Sequence, residues 1–203
     1  MKKLLIATEN EHKARELAAL MPELGLEYLT LRDFPGFQMP PEDGLTLAEN
    51  AVIKARAAAM NCRLWALADD TGLEVDALGG APGVFSARFA GPERDYAANN
   101  SKLLQLMAHA KKRTARFRCV MALASPDGTV ITEAGVLEGV ITAAPRGTNG
   151  FGYDPLFAPD GYASTLAEMP APEKNRLSHR FNAVRLMAKH LKIYADGARN
   201  CAQ

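Results

Sequence analysis

The N-terminal half of the chain alternates short apolar runs with segments whose apolar residues recur at helical spacing. Residues 3–8 predict a buried strand and residues 11–21 an amphipathic helix. Residues 25–31 and 64–68 predict two further strands, and a helix is predicted between them over 46–60. This alternation is typical of α/β folds, because parallel strands need a crossover connection that is usually a helix.

The second half of the chain carries a different signal, two long apolar runs on either side of a turn. Residues 117–124 and 129–141 flank Ser-Pro-Asp-Gly and predict an antiparallel hairpin. A helix is predicted over 95–110, and the last helix is predicted to begin at Ser178, a good capping residue. A hairpin combined with parallel strands gives a mixed sheet, so we expect an α/β fold built on one.

Composition limits the classes of protein to be considered. With 203 residues, 48% of them apolar, the chain suits one compact domain or two lobes that share a sheet. The formal net charge of +1 requires neither nucleic acid nor a membrane surface as a partner. No apolar run approaches transmembrane length, and the run after Lys2-Lys3 is too short for a signal peptide. We therefore expect a soluble, cytoplasmic protein with no membrane or nucleic-acid partner.

The three cysteines, Cys62, Cys119 and Cys201, lie far apart in the sequence. No Cys-x-x-Cys or Cys/His spacing indicates a zinc site, and an odd number argues against a disulfide framework. We expect three reduced thiols.

The first candidate site is the junction between the first strand and the first helix. A helix start has unpaired N–H groups and partial positive charge, and Thr8, Asn10 and Lys13 could add phosphate contacts there. The carboxyl end of a strand is also where open α/β sheets bind ligands. Alternatively, Thr8 or Asn10 only caps the helix and Lys13 is solvated. Glu9 and Glu11 disfavour an anion unless they point outward or a metal offsets them.

The second candidate is a pair of acids, Asp69 and Asp70, at the predicted end of the strand over 64–68. Crowding two carboxylates costs free energy unless a cation shares them. Mg²⁺ is a suitable cation, because it takes one or two carboxylates plus water and phosphate oxygens. One carboxylate could also orient or deprotonate a water. Alternatively, Asp-Asp-Thr-Gly is a solvated turn. Glu42 and Glu49 are further acids that could join a metal.

The helix predicted over 46–60 supplies a third candidate. Asn50 and Lys54 are four residues apart and therefore share an edge of the helix. Glu49 and Lys54 are five apart and point to different sides, so Lys54 could face a ligand while Glu49 does not. The alternative is that Lys54 is a surface lysine.

Two later segments could bind a flat ligand. In Gly-Phe-Gly-Tyr-Asp, the ring of Phe151 or Tyr153 could stack on a base, and Asp154 could accept a hydrogen bond from a ring N–H. His179 and Arg180 could donate to a carbonyl oxygen from the first turn of the last helix. Lys174 could reach a phosphate or a purine edge. Alternatively, the aromatic rings are packing residues and the His–Arg pair decorates the surface.

Taken together, five stretches resemble a known family in order and spacing. They are TENEHK, GLTLAENAVIKA, ADDTGLEVDALGGAPGVFSARF, GTNGFGYDPLF and EKNRLSHR. They resemble the inosine triphosphate pyrophosphatase family, whose bacterial members are called dITP/XTP pyrophosphatases. The resemblance covers the chain to about residue 190.

The resemblance implies Mg²⁺-dependent hydrolysis of ITP, dITP and XTP to the nucleoside monophosphate and pyrophosphate. It implies a homodimer, and one pyrophosphatase domain over 1–203. The implied fold is an elongated mixed β-sheet that spans two lobes, with helices around it and the active site in the cleft between the lobes.

The resemblance also assigns roles to individual residues. Asp70 falls on the catalytic acid and metal ligand, with Asp69 supporting it and Glu42 as a further metal ligand. Lys54 and Lys13 fall on catalytically important lysines, and Thr71 on a substrate contact. The triphosphate-binding segment comprises Thr8, Glu9, Asn10, Glu11, His12 and Lys13. The base-binding residues are Phe151, as the stacking ring, Gly152, Tyr153, Asp154, Lys174, His179 and Arg180.

The chain departs from the family pattern at Glu9, where the family usually has glycine, and at Asn149, where glycine is common. Two other functions remain open at this point. One is a nucleoside triphosphate phosphatase of another specificity, and the other is a nucleotide-binding protein without catalytic activity.

Overall fold

The computed structural model describes residues 1–21 and 23–197. Their helices and strands are β1 (Lys2–Ile6), α1 (Glu11–Leu20), β2 (Leu26–Thr30), α2 (Leu47–Cys62), β3 (Trp65–Val75), α3 (Tyr96–Leu106), β4 (Thr114–Ala124), β5 (Val130–Ile141), β6 (Phe157–Pro159), α4 (Ala171–Leu177) and α5 (His179–Asp196). Every predicted strand and helix is present, and the short elements β6 and α4 are additional. No helix among these residues is both long and apolar enough to cross a membrane.

The six strands form one sheet in the order β2-β1-β3-β4-β5-β6. The strand β1 is parallel to both β2 and β3, whereas β5 and β6 are antiparallel. The turn between β4 and β5 is closed by Ser125, whose amide donates to the carbonyl of Thr129 at 2.9 Å. The predicted α/β class with a mixed sheet is therefore confirmed.

The chain divides into two compact units. Unit 1 contains residues 1–70, 120–135 and the chain from 181 onward, and unit 2 contains 71–119 and 136–180. The strands β3, β4 and β5 each contribute residues to both units.

The core of unit 1 contains the alanine stripe of α2. Ala51, Ala55, Ala58 and Ala59 have no exposed surface, and neither do Leu4 and Leu5 of β1. Side chains this small let a helix backbone lie close to its neighbours, so the helix is held near the sheet by its own composition.

The core of unit 2 is a larger apolar cluster that includes aromatic side chains. Phe117 of β4 and Phe157 of β6 pack with their ring centroids 4.7 Å apart. Leu73 and Val75 of β3 are buried in the same cluster. Since these residues come from three strands, they keep the second half of β3 inside the core.

Of the three cysteines, Cys62 and Cys119 are described by the structure, and neither forms a disulfide bond. Cys201 lies outside the described residues.

Gly139 allows β5 and β6 to pair closely. A methyl group at this position would lie 2.3 Å from the carbonyl oxygen of Ala158 and 2.8 Å from the ring of Phe157. We predict that Gly139→Ala lowers the free energy of unfolding by roughly 2 kcal/mol or more, because the backbone must move. Gly36→Ala is the control, since nothing lies within 4 Å of its added methyl. Equal urea midpoints for the two variants would contradict this role.

Candidate active site

The strand β3 continues through the two acids instead of ending before them. It runs from Trp65 to Val75, so Asp69 and Asp70 lie in its middle and are only 1% and 7% exposed. The alternative of a solvated turn is therefore wrong. Successive side chains of a strand point to opposite faces, which spares the two carboxylates the crowding that their adjacency suggested. Each acid has its own lysine.

Asp69 is paired with Lys13 from the first turn of α1. The Lys13 ammonium lies 3.1 Å from Asp69 Oδ2, and the two side chains are 14% and 0% exposed. The alternative of a solvated lysine is wrong as well. A residue from the beginning of the chain thus meets an acid from its middle.

Asn10 caps α1 and thereby places Lys13. Its Oδ1 accepts hydrogen bonds from the amides of His12, at 3.0 Å, and Lys13, at 3.2 Å. The amide of Asn10 in turn donates to Thr8 Oγ1 at 3.2 Å. The structure therefore shows the capping alternative, and the Thr8 hydroxyl, which accepts in this contact, also carries a proton that it can donate.

The acids of this segment point outward. Glu11 pairs with Arg32 and, at 3.6 Å, with Arg15, and its side chain is exposed. Glu9 and His12 are exposed too. The arginines offset one of the two negative charges that would disfavour an anion near the helix start.

Asp70 is held by the edge of α2. Its Oδ1 accepts from Lys54 Nζ at 3.0 Å, and its Oδ2 accepts from Asn50 Nδ2 at 3.3 Å. The Lys54 ammonium also donates to Glu42 Oε1 at 2.7 Å. One buried lysine therefore joins the two carboxylates that the sequence proposed as metal ligands.

Lys54 is a cation in this site, not a base. Burial lowers its pKa, but the negative charges of Asp70, Asp69 and Glu42 outweigh that effect and raise the pKa above the ordinary value for lysine. The ammonium is therefore protonated at neutral pH. The folded state gains stability from this charge at neutral pH and loses it only as the pH rises through the raised value.

Glu49 does not belong to this cluster. It forms a capping box with Thr46 at the start of α2, where its Oε2 accepts from the amides of Leu45 and Thr46 at 2.6 and 3.1 Å. Glu49 is therefore committed to the helix end, which excludes it as a metal ligand in this arrangement.

The donors in this cluster fit a hard cation. Among residues 1–21 and 23–197, no group of three or more His, Cys, Asp or Glu side chains could hold a metal alone. Glu42 and Asp70, which share the Lys54 ammonium, would supply two carboxylates. Mg²⁺ accepts such a sparse protein ligand set, because it takes its remaining ligands from water and phosphate.

In unit 2, the Asp154 carboxylate accepts hydrogen bonds that hold the loop at 150–154 in a tight turn. Asp154 Oδ2 accepts from the amide of Phe151 at 2.8 Å and from Lys174 Nζ at 2.6 Å. Asp154 and Lys174 are 3% and 5% exposed. Gly150 has a φ of +74°, and a methyl group there would lie 2.0 Å from the same oxygen, so this close turn requires glycine.

Of the two rings in this loop, Phe151 is the more exposed. It is half-buried, and Lys174 Nζ lies 5.0 Å from its centroid, on one face of the ring. Tyr153 is in the core, where its hydroxyl donates to the carbonyl of Ser86 at 2.9 Å and burial raises its pKa. Tyr153 is therefore a packing residue of the loop, and Gly152, which lies between the two aromatic residues in sequence, is half-buried.

His179 and Arg180 are buried, which excludes the surface alternative. They are 4% and 1% exposed. The His179 ring stacks on Phe117 with centroids 4.8 Å apart, and Arg180 Nη2 donates to Thr71 Oγ1 at 3.3 Å. Thr71 directly follows Asp70 in β3, so the chain itself connects the two groups of site residues.

Two supporting residues were not among the predicted site residues. Asn50, 1% exposed, joins Asp70 to the loop before α2, because its Oδ1 accepts from the amide of Gly44 at 2.8 Å. Its position four residues before Lys54 was a usable signal. Ser86 accepts from the amide of Leu73 at 2.8 Å through its hydroxyl, and nothing in the sequence pattern indicated it.

The chain is similar to known proteins over most of its length. A model of the Ham1 family matches residues 4–190. A dITP/XTP pyrophosphatase of Elusimicrobium minutum is 52% identical over 196 residues, which cover 94% of this chain and 100% of the relative. A dITP/XTP pyrophosphatase of Geobacter sulfurreducens is 50% identical over 193 residues, 94% of this chain and 97% of the relative. The structure of a HAM1 protein from Coxiella burnetii matches with a TM-score of 0.87 at 39% identity, over 94% of this chain and 98% of that one.

We predict that Lys13→Met lowers the free energy of unfolding by about 3 kcal/mol, because it removes the ammonium from a fully buried carboxylate. The double variant Lys13→Met with Asp69→Asn should recover much of this loss in urea denaturation. Lys3→Met is the control: Lys3 lies 3.8 Å from Glu27 in an exposed pair, and its loss should have little effect. A double variant no more stable than Lys13→Met would contradict the pairing.

Proposed function

The chain belongs to the Ham1 family, and we propose that it hydrolyses deaminated purine nucleoside triphosphates, namely ITP, dITP and XTP, to the monophosphate and pyrophosphate. The relatives at about half identity that are named dITP/XTP pyrophosphatases support this substrate class. The observation that carries the proposal is the buried carboxylate of Asp70, held between Lys54 and Asn50 beside the Lys13–Asp69 pair.

The triphosphate is bound at the start of α1. Thr8 and Asn10 donate hydrogen bonds to phosphate oxygens, and Lys13 supplies a full positive charge. The helix end adds its partial charge, which suits an anion. Glu9, in place of the family's usual glycine, is exposed and lowers the net positive charge of this segment.

Asp70 and Glu42 would hold the metal ion, Mg²⁺, which would neutralise phosphate charge and polarise the phosphoryl group that is attacked. Lys54 contacts both of these carboxylates and holds them in place.

The reaction is attack of water on the α-phosphorus, with pyrophosphate as the leaving group. Asp70 orients the water and accepts its proton, and Asp69 keeps Lys13 in position. Lys13 and the N-terminal end of α1 stabilise the charge that develops on the pyrophosphate. These groups are fixed before substrate binds, so little reorganisation is needed in the transition state.

Selectivity depends on the atom at position six of the purine. Inosine and xanthosine carry a carbonyl oxygen there, which His179 and Arg180 satisfy as donors, whereas adenine carries an amino group. A donor that faces another donor in a buried site costs about 1–3 kcal/mol, which corresponds to a factor of about five to more than a hundred. Phe151 stacks on the base, and Asp154 and Lys174 complete the base-binding segment. Discrimination against guanine requires a contact at position two.

The wider role that we propose is removal of deaminated purine nucleotides before they enter DNA or RNA. The enzyme acts in the cytoplasm as a homodimer, as the family resemblance implies. Neither nucleic acid nor a membrane takes part as a partner.

We predict that, with Mg²⁺ present, ITP, dITP and XTP release pyrophosphate at rates well above those of ATP and GTP. The measurement is pyrophosphate and orthophosphate release across the five nucleotides. Orthophosphate released directly from an intact triphosphate would favour the phosphatase alternative. Equal rates for all five would contradict the base-reading role of His179 and Arg180.

We predict that Asp70→Asn reduces turnover at least about a thousandfold, because the proton acceptor and a metal ligand are lost together. The variant should still bind ITP in equilibrium dialysis. The control is Asp160→Asn, an exposed acid that should leave turnover unchanged. Full turnover in Asp70→Asn would contradict the assignment of Asp70 as proton acceptor and metal ligand. The non-catalytic alternative predicts that this substitution leaves the function of the protein, nucleotide binding, unchanged.

A further inference from the structure

One edge of α3 faces the loop at 150–154. Tyr96 and Asn100 are four residues apart on this helix and therefore lie on the same side of it. The ring centroids of Tyr96 and Phe151 are 6.1 Å apart. Asn100 Nδ2 donates a hydrogen bond to the carbonyl oxygen of Gly152 at 3.0 Å. Both contacts are made with the residues at or next to the proposed stacking ring.

The other anchors of this loop fix different groups. Asp154 holds the amide of Phe151, and Tyr153 is tied through its hydroxyl to Ser86. The Gly152 carbonyl belongs to the peptide group that joins Gly152 to Tyr153. Asn100 is the described side chain that orients this peptide group, and with it the direction in which the chain leaves Phe151.

In the side-chain amide of Asn100, the nitrogen forms a hydrogen bond with another described residue but the oxygen does not. Its Oδ1 is buried and has no hydrogen-bond partner among residues 1–21 and 23–197. A buried amide oxygen without a donor lowers stability, and this cost offsets part of what the hydrogen bond to the Gly152 carbonyl contributes. Stability alone therefore gives little reason for an asparagine at this position.

We propose that Asn100 is a positioning residue for purine binding: by holding the Gly152 carbonyl, it sets the orientation in which the Phe151 ring meets the base. This inference rests on the proposed function and adds to it a residue that does not touch the phosphate groups. Its loss should weaken binding of the nucleoside end of the substrate, while the chemistry at Asp70 and the binding of pyrophosphate are unaffected.

The experiment compares Asn100→Leu and Asn100→Asp with the wild type. Asn100→Leu removes the donor, and Asn100→Asp also places a negative oxygen against the Gly152 carbonyl. Gln105→Ala is the matched control, because Gln105 is an exposed amide on the same helix. For each protein, kcat and KM for ITP, the inhibition constant of inorganic pyrophosphate and the melting temperature are measured.

We expect KM for ITP to rise roughly fivefold to tenfold in Asn100→Leu and further in Asn100→Asp, with kcat within about twofold of the wild type. The inhibition constant of pyrophosphate should be unchanged, and the melting temperature of Asn100→Leu should stay within about 4 °C. If Asn100 had only a structural role, its substitution would instead lower the melting temperature without a selective rise in KM for ITP.

An unchanged KM in both variants would overturn the inference. So would a parallel rise in KM and in the pyrophosphate constant, because that result would place the effect at the phosphate end. Failure of the proposed function is visible separately, since the wild-type protein would then release no pyrophosphate from ITP.

Discussion

The candidate active site is organised around two buried ion pairs in the middle of one strand. Asp69 and Asp70 are consecutive residues of β3 inside unit 1, and each is matched by a lysine, Lys13 or Lys54, from a different helix. Taking carboxylates out of water is expensive, and such pairs stabilise a fold weakly at best. Their presence in the core is therefore better explained by function than by stability. The lysines balance the charge of the two acids and hold their side chains in place.

The surrounding fold places these charges. The cap at Asn10 fixes the start of α1 and so the position of Lys13, and the capping box at Thr46 fixes the start of α2. Asn50 and Lys54 then reach the two oxygens of the Asp70 carboxylate from one edge of α2. Local rules of helix capping thus determine the geometry of a site whose acids come from a strand.

Unit 2 also contains a buried carboxylate that is paired with a lysine. A carboxylate, Asp154, organises a tight loop from inside, and a buried lysine, Lys174, balances its charge. His179 and Arg180 are buried as well. The His179 ring stacks on Phe117, and Arg180 donates a hydrogen bond to Thr71. The proposed discrimination between a carbonyl and an amino group requires rigid, desolvated donors. An unmatched polar group in a buried site cannot form a compensating hydrogen bond with water.

Much of the fold was predictable because its signals are local. The alanine stripe of α2 and the turn between β4 and β5 are contained in short windows of sequence. The length of β3 could not be predicted in this way, because two acids and a glycine after Ala68 are typical of a turn. The lysines that make burial of the two acids possible are distant in sequence. The same limit applies to Tyr153, whose ring resembles a ligand contact in sequence but lies in the core. Elements as short as β6 have no periodicity to detect.

For the proposed site residues, the resemblance to a family predicted the positions, and the structure showed which side chains are paired. Lys13 and Asp69 are 56 positions apart in numbering, and no pattern within either segment links them. Glu42 and Lys54 were both candidates, but their direct contact at 2.7 Å could only be seen in three dimensions. Asn50 and Asn100 act by holding other groups, and such supporting roles leave little trace in a single sequence.

The most direct test is a crystal structure of the protein with Mn²⁺ in place of Mg²⁺ and a non-hydrolysable α,β-imido analogue of ITP. The account predicts an anomalous peak at coordination distance, about 2.1 Å, from carboxylate oxygens of Asp70 and Glu42. It also predicts phosphate oxygens within hydrogen-bonding distance of Lys13 and Thr8. A metal bound without Asp70, or a triphosphate located away from the start of α1, would contradict it.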